Sequence, residues 1–167
     1  MCDVCFKDIF FVSLYLPSVT NDSDRDCIMQ VLSEIQDVLQ MYPNHSIICG
    51  ADLNVNLDSE GEAATLINNF MLHNNIVLGS KVHSSQDLIN YTYCHNTLGH
   101  FSYIDYFLVS SDIVYKIQKF DIIDDALNLS DHNPIRLETG LSFDVSNEGR
   151  EAASVPSYST LRWDCYN

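Results

Sequence analysis

Three apolar, strand-like segments carry isolated polar groups, and this pattern points to a layered fold of sheets and helices. Ile47-Ile48-Cys49-Gly50-Ala51-Asp52-Leu53-Asn54 is an apolar run that ends in Asp-x-Asn. Ser102-Tyr103-Ile104-Asp105-Tyr106-Phe107-Leu108-Val109 holds a single acid inside an apolar run. Leu129-Ser130-Asp131-His132-Asn133-Pro134-Ile135 puts an adjacent Asp-His pair at the mouth of a strand predicted over 134–141. Short apolar runs bounded by turn residues read as buried strands.

The segments between them complete the pattern. Residues 8–16 are apolar, aromatic and partly alternating, which predicts a strand ended by Pro17. Asn21, Asp22, Ser23 and Asp24 offer N-cap candidates and place acids where a helix dipole favours them. Ile28, Val31, Leu32, Ile35, Val38 and Leu39 then recur at spacings of three and four, one apolar face of a helix. Residues 46–49 are a short buried strand, with Asp52 at its carboxyl end, where layered α/β folds keep their ligand sites. Residues 60–74 carry a second helical pattern through Ala64, Leu66, Ile67, Phe70 and Met71. A short strand over 76–78 and a polar loop over 80–90 follow. Strands are then expected over 91–94, 100–110, 113–123 and 134–141. The alternation predicts an α/β fold with sheets covered by helices.

Composition narrows the function. The chain has 167 residues, 46% of them hydrophobic, enough for one domain with a real core. A formal charge of −15 argues against a broad basic surface for nucleic acid. An acidic protein can still cut nucleic acid when metal ions carry the local positive charge. No apolar run approaches a membrane span, and no membrane partner is expected. The start of the chain shows no signal-peptide pattern. Cys2 and Cys5 have suggestive spacing, but no second ligand pair follows, so a frayed terminus is the simpler account. Cys49 and Cys94 lie in apolar strands as small hydrophobes. Reduced, intracellular thiols are expected, with the nucleus as an option. Residues 145–160 are polar, and Leu161-Arg162-Trp163-Asp164 then supplies an aromatic anchor.

The polar groups suit phosphoester chemistry. Asp52 can orient or deprotonate a water, and the Asn54 amide can hold phosphate or water. His132 can donate to a phosphoryl oxygen while Asp105 pairs with its other ring nitrogen. Asp131 is a hard oxygen ligand suited to Mg²⁺. The Tyr15 hydroxyl can reach phosphate. Taken singly, most have plainer explanations: Asp52, Asn54 and Asp131 as turn formers, Tyr15 as core. Asp105 does not, because a carboxylate among Ile104, Tyr106, Phe107 and Leu108 is costly to bury without a partner.

As a set these motifs resemble the endonuclease/exonuclease/phosphatase superfamily. Ser13-Leu14-Tyr15-Leu16-Pro17 is similar to its Tyr-x-Pro segment. Asp52-x-Asn54, Ile104-Asp105-Tyr106 and Ser130-Asp131-His132-x-Pro134 are similar to its last three motifs. The resemblance runs from about residue 8 to residue 141. Within the superfamily, Tyr91-Thr92-Tyr93-Cys94 leading into Ser102–Leu108, and the terminal Leu161-Arg162-Trp163-Asp164, resemble the endonuclease domain of non-LTR retrotransposons. The resemblance implies part of a four-layered, deoxyribonuclease-like α/β sandwich over 1–143, followed by a polar linker and tail over 144–167. It implies cleavage of DNA with Mg²⁺ or Mn²⁺, and a covalent or associated reverse transcriptase in a longer product. Carried over, Asp52, Asn54, Asp105 and His132 are catalytic, Tyr15, Asn54 and His132 bind phosphate, and Asp131 serves the metal. The family opens with strands that carry an Asn and then a metal-binding Glu, both ahead of the Tyr-x-Pro segment. Neither residue type precedes Tyr15 here. Ala51 stands where Gly usually precedes the Asp, and Ser18 where Asn usually follows the Pro. The expectation is therefore a domain whose first strands are missing and whose metal site is incomplete. The alternatives are a catalytically dead remnant and a phosphatase of the same superfamily.

Overall fold

A computed structural model describes residues 8–81, 90–95, 97–123, 125 and 127–141. Its elements are β1 (Ile9–Tyr15), α1 (Asp22–Met41), β2 (Ser46–Asp52), α2 (Glu62–His73), β3 (Ile76–Leu78), β4 (Tyr93–His95), β5 (His100–Ser102), β6 (Asp105–Ser110), β7 (Ile117–Ile122) and β8 (Ile135–Thr139). The linker and tail, with Trp163, and the Cys2/Cys5 pair lie outside the described residues, as does most of the loop over 80–90.

The central sheet has the order β1-β2-β6-β3. β1 and β2 are parallel, joined across α1, while β6 is antiparallel to both β2 and β3. α1 starts where the caps require. The Asn21 side chain accepts from the Asp24 N–H, and the Asp24 carboxylate accepts in return from the Asn21 N–H. This reciprocal box satisfies two of the donors that a helix start leaves open. The Asp24 carboxyl is held below its usual range chiefly by the Thr20 hydroxyl.

Alternation sends each strand's side chains to two faces. Leu14, Ile47, Cys49, Ala51, Tyr106, Leu108, Ile76 and Leu78 pack under Ile28, Leu32, Ile67, Phe70 and Met71 from the two helices. Ile48 and Val109 face the other way, onto Ile113, Ile117 and Leu137 of the β7–β8 ribbon. Both helices thus cover one face and the ribbon covers part of the other, where the sequence pattern had placed helices over sheets without assigning faces. Val38, expected on the buried stripe of α1, is 45% exposed. The stripe is narrower because only Ile28 and Leu32 are fully buried on that helix.

The second half departs more from expectation. The single strand expected over 100–110 is two strands, broken at Tyr103 and Ile104. The stretch over 113–123 begins with a 3₁₀ turn, Val114–Lys116, before β7. Residues 91–94 shift, with β4 starting at Tyr93. No helix among the described residues is long and apolar enough to cross a membrane.

Candidate phosphoester-handling site

Strand register builds the site. Tyr15 pairs with Asp52, and Asp52 pairs with Asp105. Bridge partners in a sheet point to the same face, so Tyr15, Asp52 and Asp105 form one lateral row across β1, β2 and β6. This is the carboxyl end of the two parallel strands. Asp105 is the first residue of β6 rather than an acid inside a strand, because the break at Tyr103–Ile104 starts the strand there.

His132 comes from the loop before β8 and closes over the row. Its Nδ1 lies 3.0 Å from Asp105 Oδ2 and 3.2 Å from Asp105 Oδ1. One ligand atom each from Asp52, Asp105 and His132 lies within 4.8 Å of the others, and all three residues are half-buried. Like charges side by side have a cost. Burial pushes the Asp52 carboxyl up, and the Asp105 charge adds to the rise, against a lowering contribution from the Asn54 N–H. Because its folded-state pKa is raised, Asp52 costs stability once the pH passes above its unfolded value. Asp52→Asn is therefore expected to raise the melting temperature at neutral pH and leave it nearly unchanged in acid. Scanning calorimetry at the two pH values measures this, and equal shifts at both would contradict it.

The remaining sequence candidates sit close by. Asn54 has a left-handed backbone, with φ +50. Its N–H donates to Asp52 Oδ1 at 3.1 Å. Tyr15 is 48% exposed at the end of the row. Asp131 is exposed, and its carbonyl accepts from the Cys94 N–H at 2.8 Å. Its carboxylate is not one of the three groups that converge. Tyr93 lies edge-on to the His132 ring, 5.1 Å between centroids, and Tyr91 packs on Phe101 at 4.6 Å. Cys49 is buried, and burial pushes its thiol up to about 12. Cys94 is only half-buried.

Two supporting residues were not legible in the sequence. Thr92 is fully buried, and its Oγ1 accepts from both the Ile104 and Asp105 N–H groups at 3.0 Å. Its carbonyl accepts from the Asn133 N–H at 2.7 Å, beside the Tyr93–His132 bridge. Thr92 thus holds the start of β6 and the His132 loop together, spending its two hydroxyl lone pairs on two successive N–H groups. The Thr-Tyr step next to an apolar run was the available signal, but strand propensity explains it equally well. Thr92→Val leaves two N–H groups unsatisfied and is expected to cost about 2–4 kcal/mol in urea unfolding, with Thr92→Ser recovering most of it. The second is Tyr106. Its hydroxyl donates to the Tyr103 carbonyl and accepts from the Leu57 N–H, which ties the loop after β2 to β6.

The donor set fits a hard divalent cation. Two carboxylates that raise each other's charge cost are what such an ion relieves, and small ions of this kind need only one or two protein carboxylates plus water.

No family model matches the chain, and no curated protein does. Solved structures do. The endonuclease domain of TRAS1, a telomere-specific non-LTR retrotransposon, is similar at 18% identity, TM-score 0.55, over 70% of this chain and 53% of that one. An AP endonuclease from Archaeoglobus fulgidus is similar at 16% identity, TM-score 0.60, over 80% and 62%. A 3′ phosphatase from Neisseria bound to a product DNA hairpin is similar at 15% identity, TM-score 0.55, over 72% and 54%. The chain spans about half to three-fifths of the length of these structures. These likenesses show the fold: this chain has the endonuclease/exonuclease/phosphatase fold.

Proposed function

We propose that this chain is the part of a divalent-metal-dependent phosphodiesterase that holds the water and the scissile phosphate, and that its substrate is DNA. The observation that carries the reading is the Tyr15–Asp52–Asp105 row with His132 bonded to Asp105. Asp52 orients and deprotonates the attacking water. The Asn54 amide holds water or phosphate with the N–H it has left. Asp105 accepts from Nδ1–H of His132, which fixes the ring and turns Nε2 toward the phosphate. From there His132 donates to a phosphoryl oxygen, and the Tyr15 hydroxyl reaches the same group. Asp52 and Asp105 would hold the ion, with Asp131 contributing from the loop through water. When bound, Mg²⁺ or Mn²⁺ supplies the charge neutralisation that a developing phosphorane or metaphosphate needs.

DNA is favoured by the similar proteins, two of them endonucleases and one bound to a DNA hairpin. The exposed Phe101, with Tyr91 packed on it, offers an apolar face on which bases can stack, on the β4–β5 hairpin whose Tyr93 contacts His132. A retrotransposon origin, a reverse transcriptase partner and a nuclear location rest on the sequence resemblance. A catalytically dead remnant is the second reading, favoured by the formal charge of −15, which leaves few cations to hold DNA.

The test is nicking of supercoiled plasmid in millimolar Mg²⁺, run beside a phosphomonoester assay. Nicking that needs the ion and disappears in His132→Ala supports the proposal. Phosphate release without nicking moves the reading to a phosphatase, and inactivity in both assays, even after N-terminal extension, moves it to a remnant.

A further inference from the structure

One side chain ties together the exits of the two parallel strands. Asn54 Nδ2 donates to the Leu16 carbonyl at 2.9 Å, and its Oδ1 accepts from Ser18 Oγ at 3.1 Å. The same residue's backbone N–H donates to Asp52 Oδ1 at 3.1 Å. The Leu16 N–H donates to the Asp52 carbonyl at 2.9 Å, so the two exits are joined at three points. Between the two Asn54 contacts lies Pro17, buried, whose ring fixes the turn that presents Leu16 O and Ser18 Oγ on one side.

We propose that Ser18 is a positioning residue: its hydroxyl sets the direction of the Asn54 amide and, through Asn54, the placement of the Asp52 carboxylate. This rests on the phosphodiesterase reading of Asp52. The physical argument is one of counting. A primary amide has two N–H donors and two lone pairs. Leu16 takes one donor and Ser18 one lone pair. The amide cannot turn over, because that would set Asn54 Oδ1 against the Leu16 carbonyl, acceptor against acceptor. One N–H and one lone pair remain, and their direction toward the row is determined by the two contacts already made. Without the Ser18 hydroxyl the amide is held at one end only. It then swings about the Leu16 contact, and the left-handed Asn54 backbone that delivers its N–H to Asp52 loses a restraint.

The test compares Ser18→Ala and Ser18→Thr in the 167-residue chain. Nitrogen-15 NMR reads exchange protection of the Asn54 backbone N–H, and Mn²⁺ titration reads ion affinity at the row. Loss of one hydrogen bond corresponds to about a tenfold change. Ser18→Ala is expected to lower Asn54 protection about tenfold and weaken Mn²⁺ binding several-fold, with little change in the urea midpoint, and Ser18→Thr is expected to restore both. In a cleaving form, kcat falls while KM holds. Unchanged Asn54 protection in Ser18→Ala overturns the proposal, as does a loss that Ser18→Thr fails to restore. Neither of the first two readouts uses hydrolysis, so absence of cleavage by the N-terminally extended form sinks the phosphodiesterase reading while these measurements still decide the role of Ser18.

Discussion

In a form of the chain that nicks plasmid, His132→Ala is expected to lower the rate by about a hundredfold to ten-thousandfold, the range seen when a positioned proton donor is lost. Two effects combine. The donor to the phosphoryl oxygen disappears, and Asp105 loses the ring it orients, so a second carboxylate is left next to Asp52. Asp105→Asn should cost less, because an amide can still bond Nδ1 and only the preference for one tautomer is weakened. The two single substitutions and their double variant, assayed together, form a thermodynamic cycle. A double variant no slower than His132→Ala means that Asp105 acts through His132. Full additivity would separate them and contradict the bonded pair. Fluorescence or calorimetric melting of His132→Ala is expected to change little, since the loop is also held by the Tyr93 bridge and by the Asn128 side chain donating to the His132 carbonyl at 2.7 Å.

The first half of the fold was legible because each element there announces itself by one period. β1, β2 and β3 are short apolar runs bounded by Pro17, His45, Asn75 and Gly79, and α1 has both its cap and its stripe. The second half was not, for a physical reason. Residues 100–110 are rich in apolar and aromatic side chains and carry no Gly or Pro, so no turn residue marks the break at Tyr103 and Ile104. That break is held by the Thr92 hydroxyl, 12 and 13 residues earlier in sequence. Only tertiary hydrogen bonding decides it. The site shows the same division. Asp52, Asp105 and His132 could be named from sequence, since a buried acid needs a partner and, of the six histidines, His132 stands beside an acid at the mouth of a predicted strand. That Tyr15, Asp52 and Asp105 share one row depends on register, which no local pattern fixes. Asp131 illustrates the converse. Its residue type was legible, but its exposed place beside the cluster rather than in it was not, since that depends on its carbonyl accepting from Cys94 of β4.

The largest effect is expected from adding a further metal-binding carboxylate to the described cluster. The described cluster has two carboxylates and one imidazole, and the imidazole nitrogen nearest the carboxylates is already bonded to Asp105. An ion there has few fixed protein ligands and competes with the Asp52 proton, whose carboxyl is pushed up by burial. The resemblance implies a further metal-binding Glu on a strand ahead of Tyr15. Ion-held charge neutralisation is worth several kcal/mol in phosphoryl transfer. A deficit of roughly 4 kcal/mol is about a thousandfold in rate. The 167-residue polypeptide by itself is therefore expected to nick plasmid weakly or not at all in millimolar Mg²⁺. Extending it N-terminally with strands that carry the family's Asn and Glu should raise nicking about a thousandfold, and His132→Ala in that extended form should remove the gain. Replacing the added Glu with Gln is the internal control, since it keeps the strands and the packing and removes only the charge. Robust nicking by the unextended polypeptide, lost in His132→Ala, would mean that another carboxylate already holds the ion, and Asp131, one residue from His132, would then be the first to substitute.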